Sequence, residues 1–184
     1  MKIRYNAPVT LTFSILCVAV LYLGGILGSG VYSHLFTVPG SAEGVVWSDP
    51  WLYFRLFSYS VGHASSAHLF GNISLLLLIG PLIEEKYGSK PLLVILLITV
   101  LITGLLNALL FQENLLGASG VVFMMILLSS FANIKRGEIP LTLIAVLIVF
   151  VSKEVVASFE SNQVSEFAHL IGACCGAFFG FKRS

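Results

Sequence analysis

Apolar residues in this chain run in blocks and do not alternate with polar ones. Six blocks stand out, near residues 9–28, 65–83, 91–111, 118–134, 139–157 and 165–181. A hydrocarbon layer of roughly 30 Å takes about 20 helical residues to cross, so blocks of this length predict membrane spans. A membrane barrel would need period-two alternation of apolar and polar positions, which these blocks lack. Helices satisfy their own backbone hydrogen bonds in lipid, so the expected fold class is an all-α integral membrane bundle of six transmembrane helices. The pattern breaks between residues 29 and 64. There Gly30, Pro39, Gly40, Gly44 and Pro50 mingle with Trp47, Trp51, Tyr53, Phe54, Phe57 and Tyr59. Turn formers exclude one long helix and aromatic rings suit a membrane interface, so this stretch reads as an ordered, partly embedded outer loop. Connections elsewhere are short, leaving one membrane domain over residues 1–184.

Composition agrees with the pattern. Of 184 residues 57% are hydrophobic and 10% charged, against about a quarter charged in a soluble domain. The charges then set orientation, because basic residues at span ends stay cytoplasmic. With the N-terminus inside, Lys2, Arg4, Lys86, Lys90, Lys135, Arg136, Lys182 and Arg183 are all cytoplasmic, which is eight of the ten basic residues. Both termini are then expected on the cytoplasmic side. Lys2 and Arg4 ahead of an apolar run also fit a secretory signal, but the run is long for one. Cys17, Cys174 and Cys175 lie within spans and lack a CxxC partner, so they read as packing residues; neither a disulfide framework nor a metal site is indicated. No basic patch points to nucleic acid.

Polar side chains inside spans are costly enough that each needs a reason. Span 2 holds His68 and Asn72, span 4 opens with Gly117-Ala118-Ser119-Gly120, and span 6 holds His169. Ser119 is sixteen residues from Lys135, His169 thirteen from Lys182, and His68 and Asn72 sixteen and twelve from Glu84. All four therefore sit roughly 18–24 Å above the inner face. Taken singly each has a plainer role, as a serine bonding its own backbone, an asparagine between helices, or a satisfied histidine. Three helices bringing four such groups to one level is harder to explain by packing. Ser119 at a helix N-terminus lies where free N–H groups favour negative charge. A histidine at that level can act as general base, and His or Asn donors can stabilise an oxyanion.

These residues resemble the rhomboid family of intramembrane serine proteases, from about Arg55 to the C-terminus. The carriers are His63-Ala64-Ser65-Ser66-Ala67-His68-Leu69-Phe70-Gly71-Asn72, then Glu84-Glu85-Lys86-Tyr87-Gly88-Ser89, then Gly117-Ala118-Ser119-Gly120, and Ala168-His169 with Gly172, Gly176 and Gly180. The resemblance implies a rhomboid-like bundle in which Ser119 is the nucleophile and His169 its base, as a dyad. It implies an oxyanion hole from the Ser119 backbone N–H with His68 and Asn72, and an aromatic residue, Phe123, packed on the histidine ring. Gly172, Gly176 and Gly180 would give span 6 a smooth face for span 4. His63 and Arg55 match positions that organise the outer loop, though Arg55 has the plainer reading of snorkelling to the interface. Glu84 is expected to accept hydrogen bonds at the inner turn, Ser89 among the donors. Glu166, three residues before His169, is explained by the helix dipole without joining a triad. Two positions depart from the family pattern: Phe54 stands where tryptophan is frequent, and Met124 puts a long side chain where span 4 commonly has a small one.

The implied activity is endoproteolysis of single-span membrane proteins, with no cofactor. Substrate helices that unwind easily would be favoured. Other chemistries fail on inventory. HExxH is absent, and Asp49 is the lone aspartate, so neither a metalloprotease nor an intramembrane aspartyl protease is present. A nucleophile elbow would need a strand before the serine. A catalytically inactive rhomboid-like binder or quality-control factor is the alternative, though such proteins usually lack the serine or histidine kept here. A transporter would need interrupted spans in repeated halves, which are not seen. The short chain points to a prokaryotic plasma membrane.

Overall fold

The computed structural model describes residues 2–131 and 166–183, together with single helical positions at Leu141, Ile144, Ala145, Ile148, Val149 and Ser152. The span expected at 139–157 otherwise lies outside the described residues. Seven helices are described: α1 Pro8–Leu27, α2 Ser29–Phe36, α3 Pro50–Ser58, α4 Ser66–Tyr87, α5 Ser89–Leu110, α6 Ser119–Phe131 and α7 Glu166–Arg183. Among the described residues α1, α4 and α5 are long and apolar enough to cross a membrane. The fold is all-helical there, with one isolated antiparallel bridge between Val38 and Leu115.

Local chemistry explains where the helices begin. Pro8 occupies the first turn of α1, where its missing N–H costs nothing. Asp49 caps α3 by accepting from the Trp51 N–H at 3.0 Å, with Pro50 following it. Ser65 caps α4 by accepting from the His68 N–H at 3.2 Å. Gly88, at φ +87°, makes the turn between α4 and α5, a backbone conformation that disfavours side chains. α4 continues through Pro81 to Tyr87, one turn beyond the expected end at 83, and ends at Gly88.

The outer stretch 29–64 is ordered, as expected, and contains α2, α3 and two short 3₁₀ turns at Ser41–Glu43 and Tyr59–Val61. It is pinned to the segment entering α6. Val38 and Leu115 exchange both backbone hydrogen bonds, Ser41 N–H donates to the Phe111 carbonyl, and Asn114 joins Gly40 N–H to the Glu43 carboxylate. Arg55 does not snorkel: its guanidinium pairs with Asp49 at 2.6 Å, tying the end of α3 to its own cap.

Two helix pairs among the described residues show distinct kinds of contact. Gly80 of α4 approaches the Thr10 side chain of α1, and the buried Glu84 carboxylate accepts from the Val9 and Thr10 N–H groups and the Thr10 hydroxyl, each at 2.9 Å. Glu84 thus caps a helix 74 residues distant in sequence, not only its own turn. The other pair, α6 and α7, touches backbone to backbone and holds the site.

Candidate active site

Ser119 is the first residue of α6 and is half-buried. The turn before it is fixed from outside: the Gly117 N–H donates to the Tyr59 carbonyl at 2.9 Å, and the Tyr59 hydroxyl donates to the Val100 carbonyl at 3.0 Å. Gly117 has φ +129°. A Cβ there would lie 2.7 Å from His68 Cε1 and 3.0 Å from its Nε2, so only glycine leaves room for the His68 ring beside the serine turn. His68 is thereby brought to the N-terminal end of α6, where helix N–H groups lack intrahelical partners.

α6 and α7 run parallel at close range. A Cβ on Gly172 would overlap the Gly120 carbonyl oxygen, and one on Gly176 would overlap the Met124 carbonyl oxygen. A Cβ on Gly180 would come 2.7 Å from the Phe131 side chain, and one on Gly120 would sit 3.2 Å from the Ala168 carbonyl. The every-fourth-residue glycines of α7 are thus the contact itself. Met124 does not push the helices apart: its side chain is fully buried, and its carbonyl oxygen still lies where a Cβ on Gly176 would be. At this crossing the His169 ring packs on Phe123, with centroids 4.3 Å apart and planes tilted by 36°. His169 is buried and lies one residue past Ala168, the neighbour of Gly120. It therefore sits within about one helical turn of the Ser119 level.

Asn72 is buried, and its side-chain amide bonds to His63 Nε2 at 3.1 Å. An assignment consistent with every contact has His63 Nδ1–H donating toward the Val61 carbonyl at 3.3 Å and Nε2 accepting from the Asn72 amide. Tyr32 completes the arrangement, its hydroxyl accepting from the His63 N–H at 2.7 Å and donating to the His63 carbonyl at 3.0 Å. Burial, then the neighbouring His68 5.0 Å away ring to ring, push the His63 imidazole down to about 4, so it is neutral at ordinary pH. Of the sequence-predicted residues, the structure brings Gly117, Ser119, Gly120 and His68 together at one turn, and Phe123, His169, Gly172 and Gly176 along one crossing. Asn72 is held by His63. Tyr32 was not foreseen, since an aromatic residue in an aromatic-rich loop carries no positional signal.

The fold and this cluster define an all-helical integral membrane protein with a serine opening one buried helix and a histidine on its parallel neighbour. The Rhomboid domain family matches residues 50–184, and the chain belongs to the rhomboid family. It is similar to the rhomboid protease GlpG of Haemophilus influenzae, 26% identical over 183 residues covering 97% of this chain and 92% of that protein. It is also similar to rhomboid-related protein 1 of Caenorhabditis elegans, 32% identical over 166 residues covering 80% of this chain and 44% of the relative.

Proposed function

We propose that the chain is an intramembrane serine endopeptidase that cuts single-span membrane proteins within or near their spans. In this reading six helices cross a prokaryotic plasma membrane with both termini cytoplasmic. The observation that carries it is the α6–α7 crossing, where glycine contacts hold the helix bearing His169 against the first turn of the helix that Ser119 opens. The similarity to a protease over nearly the whole chain supports it.

The chemistry follows from the residue types. Ser119 Oγ attacks the scissile carbonyl as His169 takes its proton, and negative charge develops on the carbonyl oxygen. The Ser119 N–H, the His68 ring and the Asn72 amide face that charge. The C–N bond then breaks, with His169 returning the proton to the leaving amine. A water molecule, deprotonated by His169, attacks the acyl ester, and collapse of the second tetrahedral intermediate restores Ser119. Asn72 donates one amide N–H to His63 and has a second to offer, so its role is compatible with the network around it.

A fluorophosphonate probe reports on a reactive serine without knowledge of the substrate. Purified wild-type protein is expected to take the label, Ser119→Ala to take none, and His169→Ala to lose nearly all of it. Asn72→Ala is expected to slow labelling and cleavage of a single-span substrate by less than about 10²–10³-fold, the cost of removing one oxyanion donor, because other donors remain. Label on Ser119→Ala equal to wild type would overturn the assignment. A folded wild type that takes no label would favour an inactive membrane-protein binder.

A further inference from the structure

A groove of 670 Å³ runs between α1 and α5, and none of its described liners belongs to α6 or α7. Phe13 and Leu16 of α1 face Leu93 and Leu97 of α5 across it, and Phe54 and Phe57 of α3 line its outer part. The described liners on α5 run from Lys90 to Val100, ten residues along that helix. Ten residues is about 15 Å of helix, which is half of a roughly 30 Å hydrocarbon layer. The α5 side of the groove thus runs about one leaflet deep from the Lys90 end.

Its polar features are one-sided. Among the described liners Lys90 is the single charged one; it is exposed and forms no ion pair with any described residue. Lys2 and Arg4, also exposed, precede Pro8, which lines the same end. The hydroxyls deeper in are engaged: Thr12 with Tyr5, Ser58 with the Leu35 carbonyl, Ser60 with the Phe57 carbonyl. An apolar channel of one-leaflet length with cations at its aqueous end is complementary to a lipid carrying negative charge at its head. We infer that the groove seats an acyl chain of an anionic phospholipid from the leaflet facing Lys90, with its phosphate held at Lys90.

The test presents the whole protein, in detergent, with phosphatidylglycerol and phosphatidylcholine of equal chain length, and counts retained lipid by native mass spectrometry. Wild type is expected to retain phosphatidylglycerol about fivefold over phosphatidylcholine, the factor that one basic residue near an anionic surface contributes. Lys90→Glu is expected to abolish the preference, and Leu97→Trp, which fills the groove, to reduce retention of both lipids. Equal retention of the two lipids by wild type, or an unchanged preference in Lys90→Glu, would overturn the proposal. So would full retention by Leu97→Trp, or cross-linking from a photoreactive residue at Leu97 to a second copy or a substrate helix in place of lipid. Fluorophosphonate labelling of Ser119 is expected to survive both substitutions, which separates this inference from the proposed protease activity.

Discussion

The α6–α7 pair and the α1–α4 pair answer the same problem in different ways. In lipid no hydrophobic driving force pulls helices together, so they associate through close packing or through polar bonds. α6 and α7 use packing: Gly172 and Gly176 meet main-chain carbonyls. α1 and α4 use a polar bond: Glu84 satisfies three donors at the start of α1. The contrast separates two kinds of ionisable residue in a membrane helix. Glu84 is spent on satisfying the start of another helix, while His169 packs its ring on Phe123 at the glycine-lined crossing. A buried charge at a span end is therefore a weaker functional signal than a histidine on a glycine-packed face.

The largest expected effect comes from putting a side chain into the packed pair. Gly172→Val places atoms where the Gly120 carbonyl now lies, and relief requires α7 to move away from α6. Overpacking costs about 1–3 kcal/mol, and a displacement of about 1 Å at a reacting pair costs on the order of 10²-fold in rate. Fluorophosphonate labelling of Ser119 should fall by about that factor. Gly25→Ala in α1, where a Cβ meets nothing within 4 Å, should leave labelling unchanged. Wild-type labelling in Gly172→Val would remove the reason for placing the site at this crossing.

Breaking the polar pair should affect stability and spare chemistry. Glu84→Ala leaves the Val9 and Thr10 N–H groups and the Thr10 hydroxyl without their acceptor. Each buried donor so stranded costs about 1–3 kcal/mol, and water entering from the nearby chain end offsets part of it. A loss of about 2–4 kcal/mol in a detergent-denaturation titration is expected. The labelling rate per folded molecule should stay near that of wild type. A large drop in labelling rate at full folded population would show that the two pairs are coupled.

The different legibility of these pairs has a physical cause. Helix existence was readable from block hydrophobicity, and α1, α4 and α5 lie within a few residues of the expected spans, because a hydrocarbon layer sets length directly. The glycine face of α7 was readable because a spacing of four returns to one side of a helix. The partners of Glu84 were not, since a contact spanning 74 residues leaves no periodic trace. The His63–Asn72 bond was also missed: the two residues are nine apart but on opposite sides of a turn. α3 carried a usable signal in Asp49-Pro50, an N-cap followed by proline. That α7 still meets the Met124 carbonyl through Gly176 could not be read from a residue type in α6 alone.

The smallest expected effect tests the network that joins Asn72 of α4 to His63, just before that helix. His63 is pushed down to about 4 from an ordinary value near 6.5, so between those values the unfolded chain binds a proton that the folded chain refuses. Stability contributed by neutral His63 is therefore complete above about pH 6.5 and is lost as pH falls toward 4. The geometry gives the reason: a protonated ring would turn its Nε2 into a donor facing the Asn72 amide donors, and Tyr32 and Val61 already hold the rest of the residue. After allowance for partial solvent exposure, denaturation at pH 5.5 should show about 1 kcal/mol less stability than at pH 7. His63→Gln keeps a hydrogen-bonding side chain without the titration, so it should flatten this slope. An equal slope in His63→Gln would assign the acid sensitivity to another group and leave the neutral His63–Asn72 bond without energetic support.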